Sequence, residues 1–263
     1  MGLLETERHG RVLRLTLNRP EKANALNADL CHELVDTIAH ADRDVTIGAI
    51  VLCATGRSFC AGMDLEEASR GTFAKINQVH EQLFTLYARI GKPMVAAVQG
   101  PALGGGTGLV ANFHYVVCSE EAKFGLTEIR LGLWPFLVSS AVTLAVGERR
   151  TIELALTGRT FGAAEAKEMG LVHEISTEPR ERAVEIAEAM ANASPTAMRS
   201  GLEFIQEIRG KDWATASVIA RRVRDEVFHS ADFAEGVAAF REKRKPNWPS
   251  IARMPMAESE PNR

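Results

Sequence analysis

The sequence lacks any long hydrophobic run. No apolar segment approaches the roughly 20 residues that span a bilayer, and no leader-type hydrophobic stretch stands near the first residue. The formal net charge of −3 leaves no basic excess with which to neutralise a phosphate backbone. We therefore expect a cytoplasmic protein that binds neither membranes nor nucleic acid.

Cysteine is scarce and scattered. The four cysteines form no CxxC pair, and the seven histidines show no spacing typical of metal ligands. We expect reduced thiols and no metal site. Cys60 lies beside a glycine loop but has no evident histidine partner, so we interpret it as a small buried apolar side chain rather than a nucleophile.

Strand and helix patterns alternate over the first two thirds of the chain. VLRLTL (12–17) alternates like a half-buried strand, and the continuous apolar run at 47–54 is typical of a strand buried on both faces. Similar patterns predict strands at 94–98, 114–118 and 171–175, and helices after Asn27, over 72–90, near 104–112 and from 138 onward. The sequence therefore predicts an α/β core at 1–195, followed by a C-terminal helical region at 196–263.

The most unusual stretch is PALGGGTGLV (101–110). Part of it fits GxGxxA, but the helix that follows is too short for a dinucleotide-binding βαβ unit, and the Gly-Lys-Ser/Thr of a phosphate-binding P-loop is absent. Bare N–H groups at a helix start can instead bind an oxyanion. A second glycine loop, AGMD (61–64), also follows a strand, so two loops could direct N–H groups at one oxygen.

Three segments together resemble the crotonase superfamily, the enoyl-CoA hydratase/isomerase family. They are SFCAGMDL (58–65), KPMVAAVQGPALGGGTGL (92–109) and AKFGLTEIRLGLWP (122–135). The resemblance continues through NRPEKANALN (18–27), LTGRTFGAAEAKEMGLV (156–172) and FREKRKP (240–246). It implies an α/β fold with a crotonase-like ββα spiral core, and an acyl-CoA enzyme that forms homotrimers or homohexamers through its C-terminal helices. It implies no metal and no cofactor, since coenzyme A enters as part of the thioester substrate.

The resemblance also implies site residues. The backbone N–H groups of Met63 and Gly105 match the family's oxyanion donors, and Glu128 matches its catalytic glutamate. Residues implied at the CoA-binding surface are Lys22, Ala23, Ala25, Ala61, Gly62, Asp64, Leu65, Gly104, Phe240 and Lys243. In this family the Asp64 position commonly helps to fix the loop, so we do not interpret it as catalytic.

Several of these residues also have a plainer interpretation, and for the three glycines at 104–106 it is tight packing between a helix and the next turn. Glu128 could be a surface carboxylate or the partner of Arg130 in an ion pair. The basic run around Lys243 could be a solvated helix face. Only position in the family's motifs favours a functional role for Glu128 and Lys243 over these alternatives.

The chain departs from the family's hydratases at one position. Those enzymes use two glutamates to hold and activate a water, whereas here the first glutamate's place is Gly108. A single carboxylate can still move a proton between C2 and C4 of an enoyl thioester. We therefore slightly prefer isomerisation of 3-enoyl-CoA to 2-enoyl-CoA. Hydration of 2-enoyl-CoA, with Glu66 or Glu67 as substitute second acid, and a non-catalytic acyl-CoA-binding homologue remain open.

Gly108 also raises a packing question. Glycine inside a helix costs about 1 kcal/mol relative to alanine, and bulky residues follow the Glu128 motif where many relatives have small residues and paired glycines. We expect the ring of Trp134 or Phe136 to lie against Gly108 and to make the site drier. The alternative is close helix packing at Gly108 that is unrelated to the substrate.

Overall fold

The structure is a computed structural model, and it describes residues 2–69 and 73–251. Its strands in chain order are β1 (Leu4–His9), β2 (Val12–Leu17), β3 (Ala49–Ala54), β4 (Met94–Val98), β5 (Ala102–Leu103), β6 (Tyr115–Cys118), β7 (Lys123–Gly125), β8 (Phe161–Gly162) and β9 (Glu174–Ile175). Six of them form one sheet in the order β1-β2-β3-β4-β6-β9, and β5-β7-β8 form a small second sheet.

The helices cover both faces of the large sheet and extend beyond it. They are α1 (Ala28–Arg43), α2 (Leu65–Ser69), α3 (Phe73–Phe84), α4 (Gly105–Ala111), α5 (Phe136–Val146), α6 (Glu148–Thr157), α7 (Ala163–Met169), α8 (Pro179–Ala191), α9 (Pro195–Glu207), α10 (Trp213–Phe228) and α11 (Ala231–Glu242). Short 3₁₀ turns occupy Pro20–Lys22, Leu86–Ala88 and Glu128–Leu131.

The large sheet is parallel except at its first strand. β1 and β2 form an antiparallel hairpin, and β2, β3, β4, β6 and β9 run parallel to one another. Every residue of β3 and β4 is buried, which explains their continuous apolar sequences, because helices cover both faces of a parallel sheet. On one face α8 presents Ala183, Ala187 and Ala191 to the sheet. These small side chains, spaced four residues apart, let the helix approach the strands closely.

The mixed α/β architecture is the predicted one. The strands at 12–17 and 94–98 have the predicted bounds, and Asn27 caps α1 by accepting a hydrogen bond from the Leu30 N–H. The strand predicted at 171–175 is only the two-residue β9. Strand β1 and the small second sheet were not predicted, and the predicted start of α3 at Thr72 lies outside the described residues.

The last three helices bury little surface within one chain. Neither α9 nor α10 contains a buried residue, and Trp213 and Val218 are exposed apolar residues on α10. The division of the chain at 195/196 stays a prediction, and residues 252–263 of the second region lie outside the described part. Among the described residues, no helix is both long and apolar enough to cross a membrane.

Parallel pairing explains how distant segments come together at the candidate site. Because β3 and β4 are parallel neighbours, the loops that follow them leave the same edge of the sheet. The first loop leads to residues 60–64, and the second leads to the three glycines at the start of α4. Leu103 N–H donates to the Cys60 carbonyl over 2.9 Å, which joins the two loops.

The approach of the two loops depends on Gly106. A Cβ atom added there would lie 2.2 Å from the Cys60 carbonyl oxygen, and that oxygen is held in place by Leu103. We expect Gly106→Ala to destabilise the fold by roughly 1–3 kcal/mol through overpacking, measured as the free energy of unfolding in urea.

The matched control is Gly201→Ala in the middle of α9, where an added Cβ has no neighbour within 4 Å. This change should be neutral or should stabilise by up to about 1 kcal/mol, because alanine is the better helix former. Equal effects of the two variants would contradict the close-approach explanation.

Candidate active site

The backbones of the two glycine loops touch. A Cβ added to Gly105 would lie 3.4 Å from the Gly62 Cα, and one added to Gly62 would lie 2.8 Å from the Leu103 carbonyl oxygen. Gly62 also has a φ of +91°, a left-handed conformation that favours glycine. Gly62 therefore requires a residue without a side chain, whereas at Gly105 an added Cβ would only be closely packed, with its nearest neighbour, Phe84 Cζ, at 3.3 Å.

Two backbone N–H groups at this contact have no acceptor among the described residues. In the bridge between Leu26 and Met63, Leu26 N–H donates to the Gly62 oxygen and Asp64 N–H donates to the Leu26 oxygen, so the Met63 N–H is not used. Gly105 is the first residue of α4, and its N–H has no intrahelical partner. Both N–H groups are therefore available to an external oxygen, and their role as oxyanion donors stays a prediction.

Glu128 lies beside these donors. Its Oε1 atom would be 3.2 Å from a Cβ added to Gly104, and its Oε2 atom is buried with no hydrogen-bond partner. No ion pair between Glu128 and Arg130 occurs in the described structure, so the alternative of a surface pair is wrong. Burial raises the pKa of the carboxyl, and a hydrogen bond from its own backbone N–H offsets part of that rise. A carboxylate with a raised pKa and a free oxygen is suited to accept a proton.

Donors and carboxylate line one cavity of about 620 Å³. The predicted residues that line it are Met63, Gly105, Glu128, Ala61, Gly62, Leu65 and Gly104. The remaining wall is mainly apolar and comes from α3 and from the segment 131–138. A cavity of this size is in the range that binds an organic ligand.

The space at Gly108 is filled by Val138, so the expectation for Trp134 or Phe136 is wrong. A Cβ added to Gly108 would lie 2.2 Å from Val138 Cγ1, and Val138 is almost fully buried on α5. Trp134 and Phe136 do line the cavity, but Trp134 is half-buried and Phe136 is exposed. Within the bulky segment that follows Glu128, the residue that contacts Gly108 is Val138, which is buried on α5.

His80 is a lining residue that sequence reasoning missed. Its Nε2 atom lies 3.3 Å from the Leu26 carbonyl oxygen, and burial lowers its pKa although this hydrogen bond partly opposes the shift. The ring is therefore neutral at neutral pH. A signal was present: Asn77, His80, Glu81 and Phe84 recur at spacings of three and four, and all four line the cavity.

The acidic residues after Met63 are engaged elsewhere. Asp64 is buried, pairs with Arg19 over 2.5 Å and accepts hydrogen bonds from the N–H groups of Glu66 and Glu67 at the start of α2. Burial works to raise the pKa of Asp64, but these hydrogen bonds outweigh it and the pKa is lowered. Glu66 pairs with Lys22, and Glu67 accepts from the Ala28 N–H. Neither lines the cavity, so neither is placed to serve as a second acid.

The other predicted CoA-binding residues lie outside the cavity lining. The turn that contains Ala23 borders the site, since the Ala61 N–H donates to the Ala23 oxygen over 3.0 Å. Phe240 and Lys243 lie at the end of α11, with Phe240 strongly exposed. The CoA-binding roles of Lys22, Ala23, Ala25, Asp64, Phe240 and Lys243 stay predictions.

The four cysteines are buried free thiols, and none of them lines the cavity. Cys60 is fully buried, and burial raises the pKa of its thiol to about 12. Cys31, Cys53 and Cys118 are also buried free thiols. Within 2–69 and 73–251, no three His, Cys, Asp or Glu side chains cluster as metal ligands would.

Comparison with known proteins gives consistent matches. The family described as enoyl-CoA hydratase/isomerase matches residues 7–251. A Rhizobium meliloti protein named "Probable enoyl-CoA hydratase" is 39% identical over 251 residues, 92% of this chain and 95% of that protein. A Mycobacterium tuberculosis protein of the same description is 35% identical over 252 residues, with 92% and 96% covered. The crystal structure of a Bacillus anthracis enoyl-CoA hydratase superposes with a TM-score of 0.89 at 31% identity, covering 95% of this chain and 100% of that one.

The unpaired carboxylate of Glu128 should cost stability. Because its folded pKa is raised, the stability that the protonated form contributes is fully present below the ordinary glutamate pKa of 4.5 and is lost as the pH rises through the folded pKa. Glu128→Gln removes that loss. We expect its melting temperature to exceed that of the wild type by more at pH 8 than at pH 4.

Calorimetry at the two pH values checks this, with Glu121→Gln as control. Glu121 is an exposed glutamate outside the cavity, so this variant removes one negative charge without removing a buried one. A melting-temperature difference for Glu128→Gln that does not change with pH would contradict the effect of burial.

Proposed function

The chain belongs to the enoyl-CoA hydratase/isomerase family, and on that premise we propose that this acyl-CoA enzyme isomerises 3-enoyl-CoA thioesters to 2-enoyl-CoA thioesters. Glu128 would act as the single acid–base group. The N–H groups of Met63 and Gly105 would hold the thioester oxygen. Coenzyme A would be part of the substrate, with no separate cofactor.

The proposed reaction moves one proton. The Glu128 carboxylate removes a proton from C2, and the electron pair moves onto the thioester oxygen to give a dienolate. The two backbone N–H groups stabilise that negative charge where it develops. The protonated Glu128 then returns the proton at C4, and the double bond lies between C2 and C3. A single carboxylate can therefore remove the proton from C2, return it at C4 and end in its starting state.

The observation that carries the proposal is the pair of Gly108 and Val138. In the family's hydratases a second glutamate at the Gly108 position helps to hold the water. Here the place beside Gly108 is taken by the isopropyl group of Val138, which supplies all three atoms nearest to an added Cβ, so position 108 offers no second carboxylate. An apolar neighbour at this position favours transfer of a proton by Glu128 over addition of a hydroxyl group.

Hydration of 2-enoyl-CoA is the second candidate. Relatives are named as hydratases, and the Escherichia coli protein named 2,3-dehydroadipyl-CoA hydratase is 34% identical over 252 residues. Water addition needs an oriented nucleophile as well as proton transfer. The neutral His80 is one of several polar lining residues that could supply a hydrogen bond to such a water, together with Asn77, Glu81 and Thr127.

We further propose assembly as a homotrimer or homohexamer through the C-terminal helices. Neither α9 nor α10 buries a residue within one chain, and apolar side chains such as Ile205 and Trp213 are exposed there. Contact with further copies would remove this apolar surface from water. The cytoplasmic location stays a prediction.

The deciding experiment is product analysis by chromatography after incubation with matched 3-enoyl-CoA and 2-enoyl-CoA. We expect the 3-enoyl thioester to be converted to the 2-enoyl form, with little 3-hydroxyacyl-CoA. Glu128→Gln should lower kcat by at least about 10²-fold, with thioester affinity little changed, because only the base is lost.

Glu121→Gln serves as the control for loss of one carboxylate. Undiminished turnover in Glu128→Gln would remove Glu128 from the mechanism. Predominant 3-hydroxyacyl-CoA from the 2-enoyl thioester would establish the hydratase instead, and tight binding without turnover of either thioester would establish a non-catalytic homologue.

A second carboxylate can be introduced where Val138 now packs. Gly108→Glu alone should destabilise the protein, because its Cβ would lie 2.2 Å from Val138 Cγ1. The double variant Gly108→Glu with Val138→Gly removes that obstacle. We expect the double variant to recover stability relative to Gly108→Glu and to raise the ratio of hydration to isomerisation, measured from the products of both thioesters.

Val138→Gly alone is the control for the space that is opened. If Gly108→Glu by itself were as stable as the wild type and a good hydratase, Val138 would not be what excludes the second acid. An unchanged product ratio in the double variant would show that a carboxylate at 108 does not decide the reaction.

A further inference from the structure

Exposed apolar side chains gather at the mouth of the cavity. Leu65, Leu131, Leu133, Phe136 and Leu137 are all exposed, and all five line the same cavity as Glu128. Phe136 is 70% exposed and Leu131 59%. We call these five residues the apolar rim. A concentrated patch of exposed apolar side chains marks a surface that a ligand or partner covers.

The apolar rim belongs to the same cavity as the groups that would carry out the reaction. The same cavity contains Glu128 and the two free N–H groups at Met63 and Gly105. A thioester whose oxygen lies at those donors has its reacting carbons next to Glu128. Leu65 is predicted to contact CoA, so we assign the acyl group beyond the reacting carbons to the other four rim residues, which come from the same segment 131–138 as Val138.

We propose that the substrates of this enzyme carry a long, uncharged acyl chain whose distal methylenes cover the apolar rim. This inference rests on the proposed function, because it uses the position of the reacting carbons. In isomerisation C4 is itself a reacting carbon, so a four-carbon acyl group has no atom left to contact the rim. Only longer chains bury these side chains.

The charged side chains that line the cavity are consistent with a substrate whose acyl chain is uncharged. Apart from Glu128, the charged side chains that line the cavity are Glu81 on α3 and Arg130, and burial favours neutral His80. One negative and one positive exposed group give no excess charge to attract an acyl chain that ends in a carboxylate. The free energy of chain binding is then expected to come from apolar burial.

The first test is a series of 3-enoyl-CoA thioesters from four to twelve carbons, each below the concentration at which it forms micelles. Burial of one methylene contributes about 0.8 kcal/mol, which corresponds to about fourfold in kcat/KM. We expect kcat/KM to rise by up to about that factor per methylene beyond the fourth carbon and then to level off once the rim is covered.

The second test removes part of the rim. Phe136→Ala should reduce the preference for the twelve-carbon over the four-carbon thioester by roughly 3- to 10-fold, because a large apolar contact is lost. Leu144→Ala is the matched control, since Leu144 is an exposed leucine of the same helix α5 and does not line the cavity. It should leave the preference unchanged.

The outcomes separate this inference from the proposed function. A flat chain-length profile with turnover that depends on Glu128 would overturn the inference and leave the isomerase intact. A flat profile with a lower oligomeric state for Phe136→Ala, measured by sedimentation, would assign the rim to contact with a second copy instead.

If no thioester is turned over, binding still decides the role of the rim. Calorimetric titration with saturated acyl-CoA thioesters of the same lengths would then show tighter binding with length if the rim holds the chain. Affinity independent of length would overturn the inference.

Discussion

The side-chain-free contact between Gly62 and Gly105 is the constraint on which the site depends. Parallel pairing of β3 and β4 delivers two loops to one edge of the sheet, and glycine at 62 lets the first loop approach the backbone of the second, because a Cβ there would lie 2.8 Å from the Leu103 carbonyl oxygen and 3.0 Å from the Gly105 nitrogen. That approach leaves the N–H groups of Met63 and Gly105 beside the same cavity. Because both donors are main-chain atoms, their positions follow from the fold and not from a rotamer.

Asp64 and Arg19 stabilise the loop that makes this contact. Their buried ion pair, together with the bonds from Asp64 to the first turn of α2, fixes the chain directly after Met63. Removing one partner of such a buried pair leaves an uncompensated charge, which typically costs about 3–5 kcal/mol. The Asp64 carboxylate, which follows Met63 in the chain, is therefore engaged in holding the loop. Glu128 is the carboxylate that lies beside the two donors in the cavity.

The backbone part of the site was more predictable than its wall. Met63, Gly105 and Glu128 belong to short motifs with a fixed place at a strand end, and the structure brings them to one cavity. Val138 could not be identified as the neighbour of Gly108, because that contact joins α4 and α5 through helix packing. His80 was missed because the amphipathic pattern of α3 distinguishes an inner face but not which inner residues meet a cavity. Strand β1 alternates too weakly to be recognised without its partner β2.

The site therefore has two parts, one made of main-chain groups and one made of side chains. Loops built of glycine and main-chain N–H groups can hold the oxygen of any thioester, so they impose little choice of acyl group or of later chemistry. Side chains from 131–138 line the same cavity, and under the proposed function they would influence both. Val138 excludes a side chain at position 108, and Leu131, Leu133, Phe136 and Leu137 extend the apolar surface outward. If the proposed function and acyl preference hold, changes in 131–138 would alter the reaction and the choice of substrate together, because this one segment supplies both Val138 and four of the rim residues.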